Sequence, residues 1–305
     1  MSVSRDVWLI ANPTAGGGRG GRAAVNVANA LAAAGLAVRV VQPTSADGAV
    51  VETAGAVRAG AGIVVACGGD GTVNAVLQSL IGTDTALGIV ACGSGDDVAA
   101  SLGFPVHDDA SAAAFIASAI AHDSIRTVDV GIVITTNGAE RAFLGVLSTG
   151  FDSAVNERGN NLSQFRSQRY NVAMVRELAS FVPASYRLRL DDEVICGDAM
   201  LVAVGNGPRY GRGLRICPDA SVDDELLDVT WVSAVSRITL LRVFPSVFRG
   251  RHASHPAVRM FRGRRLEIEA AGQVAYADGE RVGLLPVRVE VRPSALRVLA
   301  GPATG

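Results

Sequence analysis

Gly62-Ile63-Val64-Val65-Ala66-Cys67-Gly68-Gly69-Asp70-Gly71-Thr72-Val73-Asn74 is the stretch on which the reading of this sequence turns. Gly62 to Ala66 is a short apolar run of the kind that forms a fully buried strand. A glycine-rich turn follows it, and Thr72 to Ile81 carries the pattern of a helix. A strand that runs through a glycine turn into a helix belongs to a parallel α/β sheet, whose ligands gather at the carboxyl ends of the strands. Glycines let the backbone approach a phosphate closely, and the helix start presents free N–H groups at the positive end of its dipole. Thr72 and Asn74 can add hydrogen bonds. Asp70 beside a phosphate requires a Mg²⁺ ion to intervene, directly or through water. The plain alternative is a tight strand–helix turn without a ligand.

Outward from this turn the same rhythm repeats over the first 125 residues. Val7 to Ala11, Ala37 to Val41 and Ala86 to Ala91 read as further strands. Helical segments follow, one ending near Ala34 and another over Ala46 to Ala59. Alternation of this kind predicts a parallel sheet covered on both faces. Two more glycine loops fall after strands, Asn12-Pro13-Thr14-Ala15-Gly16-Gly17-Gly18 and Gly93-Ser94-Gly95-Asp96-Asp97. Asp96 and Asp97 can alternatively be ordinary helix caps. Beyond Arg126 the rhythm becomes mostly β. Val128 to Thr136 and Arg141 to Leu147 form an expected hairpin around Asn137-Gly138. A helix is expected over Gln168 to Phe181 and another over Ile238 to Phe248. Strands are expected at Tyr186 to Leu190, Met200 to Val204, Leu227 to Val232, Arg265 to Glu269, Val287 to Val291 and Leu296 to Leu299.

Composition narrows the chemistry. Hydrophobic residues make up 49% of the 305 residues and charged residues 19%, enough for packed cores. All 28 basic residues are arginine. Without lysine, the chain is excluded from ordinary P-loop kinases, protein kinases and pyridoxal enzymes. Phosphate chemistry here must rest on backbone amides, arginine and metal. The four cysteines are scattered with no CxxC pair, which argues against structural zinc and a disulfide scaffold. No apolar run reaches the roughly 18 residues of a membrane span. The start reads as strand with no leader, so a cytoplasmic setting is expected. His107, His122, His252 and His255 form no metal pattern and read as surface residues.

The net charge of −1 is uneven. From Val229 to Leu266 there are eight arginines and no acid. This stretch is either a docking face for anionic lipid or a solvated face with scattered ion pairs. Near-neutral charge and 5% aromatic residues argue against nucleic-acid binding. Tyr276-Ala277-Asp278-Gly279-Glu280 alone reads as a hairpin turn, and Asp223-Asp224-Glu225 alone as a solvated turn.

Taken together, the three glycine turns and the Asp278-Gly279-Glu280 segment resemble the diacylglycerol-kinase-like lipid kinases, a family that includes bacterial diacylglycerol kinases, sphingosine kinases and ceramide kinases. The resemblance also covers Asp129-Val130-Gly131, Gly150-Phe151-Asp152, Gly205-Asn206, Tyr210-Gly211, Pro218 and Leu226-Leu227-Asp228-Val229. The first turn is shared with NAD kinases; the later motifs favour the lipid-kinase branch. The resemblance implies an α/β nucleotide-binding domain over residues 1–125, with the segment from about 295 to 305 packing back on it. A mostly antiparallel β-sandwich domain follows over residues 126–294, and a cleft holds ATP and Mg²⁺. It implies Glu280 as general base, with Asp70 and Asp129 supporting the metal and nucleotide. Asn12, Pro13, Thr14, Thr44, Gly68, Gly69, Gly71, Thr72, Asn74 and Ser94 would hold the nucleotide. A structural Mg²⁺ would use Asp224 with the carbonyls of Ser221 and Leu226. The expected partners are a lipid or other alcohol acceptor, an anionic membrane touched peripherally, and a second copy of the chain in a homodimer.

The sequence departs from the family pattern at four places. Ala75 stands where Glu is usual, Asp96 where an amide is usual, Ala100 where Arg is usual and Glu225 where Gly is usual. These departures leave two competing readings, a kinase for a specialised non-lipid alcohol and a non-catalytic nucleotide sensor.

Overall fold

The computed structural model describes residues 6–160 and 181–301. The helix expected over Gln168 to Phe181 lies almost wholly outside the described residues. The chain divides into two compact units, one made of residues up to Val130 and from Arg292 onward, the other of Gly131–Val291.

The first unit is a parallel sheet with helices. Its elements are β1 (Asp6–Ala11), α1 (Ala15–Ala33), β2 (Ala37–Val41), α2 (Ala46–Arg58), β3 (Ile63–Gly68), α3 (Asp70–Leu80), β4 (Ala86–Ala91), α4 (Asp97–Leu102) and α5 (Asp109–Ala121). The strand order is β2-β1-β3-β4, every pair parallel. All residues of β3 and β4 are buried, as expected for central strands covered on both faces. β2 is the edge strand and is largely exposed. In α1 the buried residues Gly20, Ala23, Ala24, Val27 and Leu31 recur at helical spacing and form its core stripe. Gly16, Gly17 and Gly18 have positive φ, so the regular helix starts after them. One element, β15 (Val287–Leu299), spans the stretch where the sequence suggests two strands, with Ser294 at positive φ inside it; its Arg297 and Val298 pair in parallel with Ala86 and Leu87 of β4.

The second unit is an antiparallel β-sandwich. After β5 (Ile125–Thr135) come β6 (Glu140–Phe143), β7 (Val146–Gly150), α6 (Phe151–Asn160), β8 (Ala184–Leu190), β9 (Glu193–Gly205) and β10 (Leu227–Ser233). Then follow α7 (Arg237–Val247), a 3₁₀ turn over Arg251–Ser254, β11 (Val258–Gly263), β12 (Arg265–Glu269), β13 (Val274–Ala277) and β14 (Glu280–Leu284). The expected Asn137-Gly138 hairpin joins β5 to β6, with Asn137 Oδ1 accepting from the Ala139 amide at 3.1 Å. The single strand expected over Arg141 to Leu147 is instead two, broken at Leu144-Gly145. β9 pairs with β8 through Glu193 to Ala199 and with β7 through Leu201 to Gly205, which lets the sheet turn a corner. Alternation is strict in β8, where Tyr186, Leu188 and Leu190 point inward. The core is built on Trp231, Tyr186, Phe143, Leu188, Val202, Val229 and Ile268. Tyr186 and Trp231 meet edge to face with centroids 6.0 Å apart, an arrangement that adds to area burial.

His252 corrects the expectation of four surface histidines. It is 1% exposed, and its Nε2 lies 3.0 Å from the Ile216 carbonyl oxygen. Burial lowers its pKa. All four cysteines are free thiols.

Candidate active site

The first unit brings the three glycine loops together at the carboxyl ends of β1, β3 and β4. β1 has β2 on one side and β3 on the other, so the chain reverses its direction of winding between β1 and β3. This is the crevice where open α/β sheets bind ligands. The Asn12 amide donates to the Cys67 carbonyl at 2.9 Å, tying the first loop to the strand that feeds the second. Asn12 Oδ1 accepts from both the amide and the hydroxyl of Thr14, at 3.0 and 2.8 Å. Arg19 ties the first loop to the third: its Nη2 donates to the Gly93 carbonyl at 2.7 Å, and its Nε to the Gly16 carbonyl at 3.3 Å. The second and third loops touch backbone to backbone. A Cβ at Gly93 would stand 2.5 Å from Gly69 Cα, and one at Gly69 would stand 3.0 Å from Gly93 Cα. Glycine is needed at both positions for proximity alone, whatever their dihedral angles.

The start of α3 follows the same logic. Its cap is Gly69, which supplies no side chain to the first turn; the Thr72 and Val73 amides donate to the Gly69 carbonyl at 2.9 and 3.1 Å, which leaves the Asp70 and Gly71 amides as those that could meet an anion. Asp70 sits on this first turn. Its Oδ1 accepts from the Val98 amide at 3.1 Å and so fastens α3 to α4. Its Oδ2 has no protein partner among the described residues. Thr72 and Asn74 are buried in the same turn, and a Cβ at Gly68 would overlap Thr72. Gly71 is exposed in the first turn of α3, Ser94 is exposed on its loop, and Pro13 is half-buried. Thr44 is exposed in the loop after edge strand β2, beside Ser45, whose hydroxyl caps α2 by accepting from the Gly48 amide at 3.0 Å.

Asp96 is the unusual member. It has positive φ and a side chain that is 1% exposed. Its Oδ1 accepts from the Gly93 amide at 2.9 Å. Its Oδ2 has no hydrogen bond among the described residues; His107 Nδ1 stands 3.5 Å away. Burial raises the Asp96 pKa, against the pull of the Gly93 amide. Asp96 therefore braces the third loop from inside and is not a solvent-facing helix cap. Asp97 is buried as well, so neither is the ordinary exposed cap that the sequence alone allowed.

Asp129 also belongs to the first unit. It is buried in β5 and accepts from the Ser294 amide at 2.7 Å. Glu280 belongs to the second unit, as the first residue of β14. The preceding Asp278 and Gly279 both have positive φ, the signature of a two-residue hairpin turn. Asp278 is the anchor of this turn. Its two carboxylate oxygens accept the amides of Leu144 at 2.9 Å, Gly145 at 2.9 Å and Val146 at 3.1 Å. These amides lie where β6 breaks from β7. Glu280 is held half-exposed, 3.9 Å from Arg141 Nη2.

Two family profiles match nearly the whole chain. The diacylglycerol kinase catalytic domain covers residues 6–133, and the YegS C-terminal NAD kinase beta sandwich-like domain covers residues 145–300. A diacylglycerol kinase of Mycobacterium tuberculosis is 38% identical over 295 residues, spanning 96% of this chain and 94% of the relative. This chain belongs to the diacylglycerol kinase family. A diacylglycerol kinase of Bacillus subtilis is 26% identical over 73% of each chain. The fold is shared with a solved diacylglycerol kinase structure from Bacillus anthracis, with a TM-score of 0.74 and 22% identity over 99% of this chain and 98% of the other. The protein is accordingly a lipid-kinase-type phosphotransferase with an alcohol as acceptor. Among the described residues no helix is long and apolar enough to cross a membrane.

Against the metal sites that this family implies, the residues divide. Mg²⁺ usually takes one or two carboxylates together with substrate phosphates. Asp70, with one oxygen anchored and one without a protein partner, fits that role. The Asp223-Asp224 loop does not fit as expected. Asp224 Oδ2 is ion-paired to Arg262, and its Oδ1 accepts from the Leu226 amide at 3.1 Å. Ser221 points its hydroxyl at Asp223. The Arg262 guanidinium is paired with the carboxylate that would hold the cation.

In this diacylglycerol kinase relative, four contributors escaped the sequence reading: Arg19, Arg141, Arg262 and the anchoring role of Asp278. Apart from the Arg19–Gly16 contact, their partners lie 34 to 139 positions away along the chain, and no local pattern marks them. Only Asp278 had a usable signal, since an Asp-Gly pair in a hairpin often carries a side chain free to bind nearby amides.

Proposed function

We propose that the protein transfers the γ-phosphate of ATP to the hydroxyl of diacylglycerol or a closely related lipid alcohol, with Mg²⁺. The observation that carries this reading is the joining of three glycine loops at one sheet edge in a chain without lysine. Backbone amides and a helix start then supply the phosphate-binding field that lysine supplies in other kinases. Asn12, Thr14, Gly69, Gly71, Thr72 and Ser94 are the residues on or beside that field, with Thr44 at its edge. Asp70 would hold Mg²⁺ together with the phosphates, and the ion would neutralise charge on the transferring phosphoryl group. Asp129 would support the same arrangement.

Glu280 is assigned as the base that accepts the proton of the acceptor hydroxyl. The support is its placement: Asp278 locks the turn, so the carboxylate starts a strand of fixed register and does not hang on a loose loop. A carboxylate is a modest base, so it requires direct hydrogen-bond reach to the hydroxyl.

Transfer of label from γ-labelled ATP to diacylglycerol in mixed micelles tests the reading. Glu280→Ala and Asp70→Ala should each lower kcat by about 10²–10⁴-fold with the fold intact. Wild-type transfer in both variants would refute it. The buried Asp96, in place of an amide, favours a second reading in which the same chemistry serves a specialised alcohol. A panel of lipid and non-lipid alcohols decides between them, since activity confined to lipids removes the second reading.

A further inference from the structure

Five acids crowd a ten-residue stretch of the second unit: Asp219, Asp223, Asp224, Glu225 and Asp228. Such a loop must be neutralised by a cation to hold its shape. The β-sheet supplies one. In the antiparallel pair of β10 and β11, Asp228 is the direct cross-strand partner of Arg262. Asp228 is 2% exposed, and burial pushes its pKa up against the pull of Arg262. The Arg262 fork spans two carboxylates: Nε donates to Asp228 Oδ2 at 3.2 Å, and Nη2 pairs with Asp224 Oδ2. Two positions on, Arg264 pairs with Glu225 at 2.7 Å. Glu225 has positive φ of 60°, a backbone state that a non-glycine residue adopts only at a cost, so this second ion pair also holds the turn.

We propose that the Arg262 guanidinium takes the place of a metal ion in the Asp223-Asp224 loop, making this part of the protein independent of divalent cations. Both oxygens of Asp224 are engaged, one by Arg262 and one by the Leu226 amide. Mg²⁺ needs near-octahedral oxygen ligation at about 2.0–2.1 Å. A fixed guanidinium on the same carboxylate opposes it by like charge and occupies the ligand. Nothing in this inference depends on the kinase reading, and its test does not use activity.

The experiment is thermal unfolding of the full chain without nucleotide, in millimolar Mg²⁺ or in EDTA. The wild type should melt at the same temperature in both. Arg262→Ala should melt lower by roughly 3–8 °C, because it strands a buried carboxylate. It should also recover part of that loss in Mg²⁺, since the acidic loop is then a vacant cation site. A wild type that loses stability in EDTA and regains it in Mg²⁺ overturns the proposal. So does an Arg262→Ala variant as stable as wild type, or one that is destabilised yet indifferent to Mg²⁺. Should Arg262→Ala fail to fold, Mn²⁺ titration of nucleotide-free wild type and Asp224→Asn decides instead. Equal binding supports the proposal, and binding lost with Asp224 overturns it.

Discussion

Replacing Asp96 by Asn should stabilise the protein at neutral pH, and the gain should vanish in acid. The side chain is 1% exposed, one oxygen accepts from the Gly93 amide, and the other has no hydrogen bond. An amide keeps the first bond through its own Oδ1 and removes a buried charge. Burial raises the Asp96 pKa in the folded state above its unfolded value. Between those two values the native state binds more protons than the unfolded chain, so stability falls as pH rises through that interval. At still higher pH the full penalty of an ionised buried carboxylate is present; below the unfolded pKa the group is neutral in both states and the penalty is absent. The penalty is on the order of 1–3 kcal/mol, the cost of an under-satisfied buried polar group, part of it returned by His107 at 3.5 Å. For a protein of this size that corresponds to about 2–8 °C in melting temperature. Melting curves of wild type and Asp96→Asn from pH 4 to pH 8 measure it. The variant should melt higher at pH 7–8, with the two curves converging toward pH 4. A difference independent of pH, or a wild type more stable at pH 8, would refute the reasoning.

Two further outcomes follow from the loops. Gly93→Ala must push apart two backbones whose closest approach to the new Cβ would be 2.5 Å. The KM for ATP should therefore rise about tenfold or more, with overpacking lowering stability by roughly 1–3 kcal/mol; titration with ATP and a melting curve report both effects. Asp278→Ala removes the acceptor for three amides at the β6–β7 break. A loss of about 2–4 kcal/mol is expected from such charge-assisted bonds, together with a fall in kcat because Glu280 is no longer held in place. An Asp278→Ala variant with wild-type kcat would show that Glu280 does not depend on the turn.

Much of the first unit was legible before any coordinates. Its strands are short apolar runs, its loops are glycine-rich, and both properties act over a few residues, so β3, β4 and the three turns are written locally. The second unit was harder. β11 and β14 mix apolar and charged residues, β13 is only the four residues Val274–Ala277, and α6 begins inside the Gly150-Phe151-Asp152 motif, so none of these four carries a clear period. The two strands expected at Val287 to Val291 and Leu296 to Leu299 fall in one element with a left-handed residue, Ser294, between them; its first part pairs with β12 and its last part with β4, partners that no local pattern reveals.

The sequence alone determined the parallel α/β unit, the three glycine turns and the absence of lysine. These follow from residue type and spacing, which act on near neighbours. Tertiary structure alone decided which carboxylates do what. Asp96 is a buried brace, Asp278 an anchor for three amides and Asp224 the partner of Arg262, while Asp70 keeps an oxygen without a protein partner among the described residues. A carboxylate has the same chemistry in every sequence; burial and the amide or guanidinium that chain folding brings to it assign its role. The turn at Gly68 to Asn74 is where we propose that phosphate binds, and the contact between Gly69 and Gly93 joins it to the third loop.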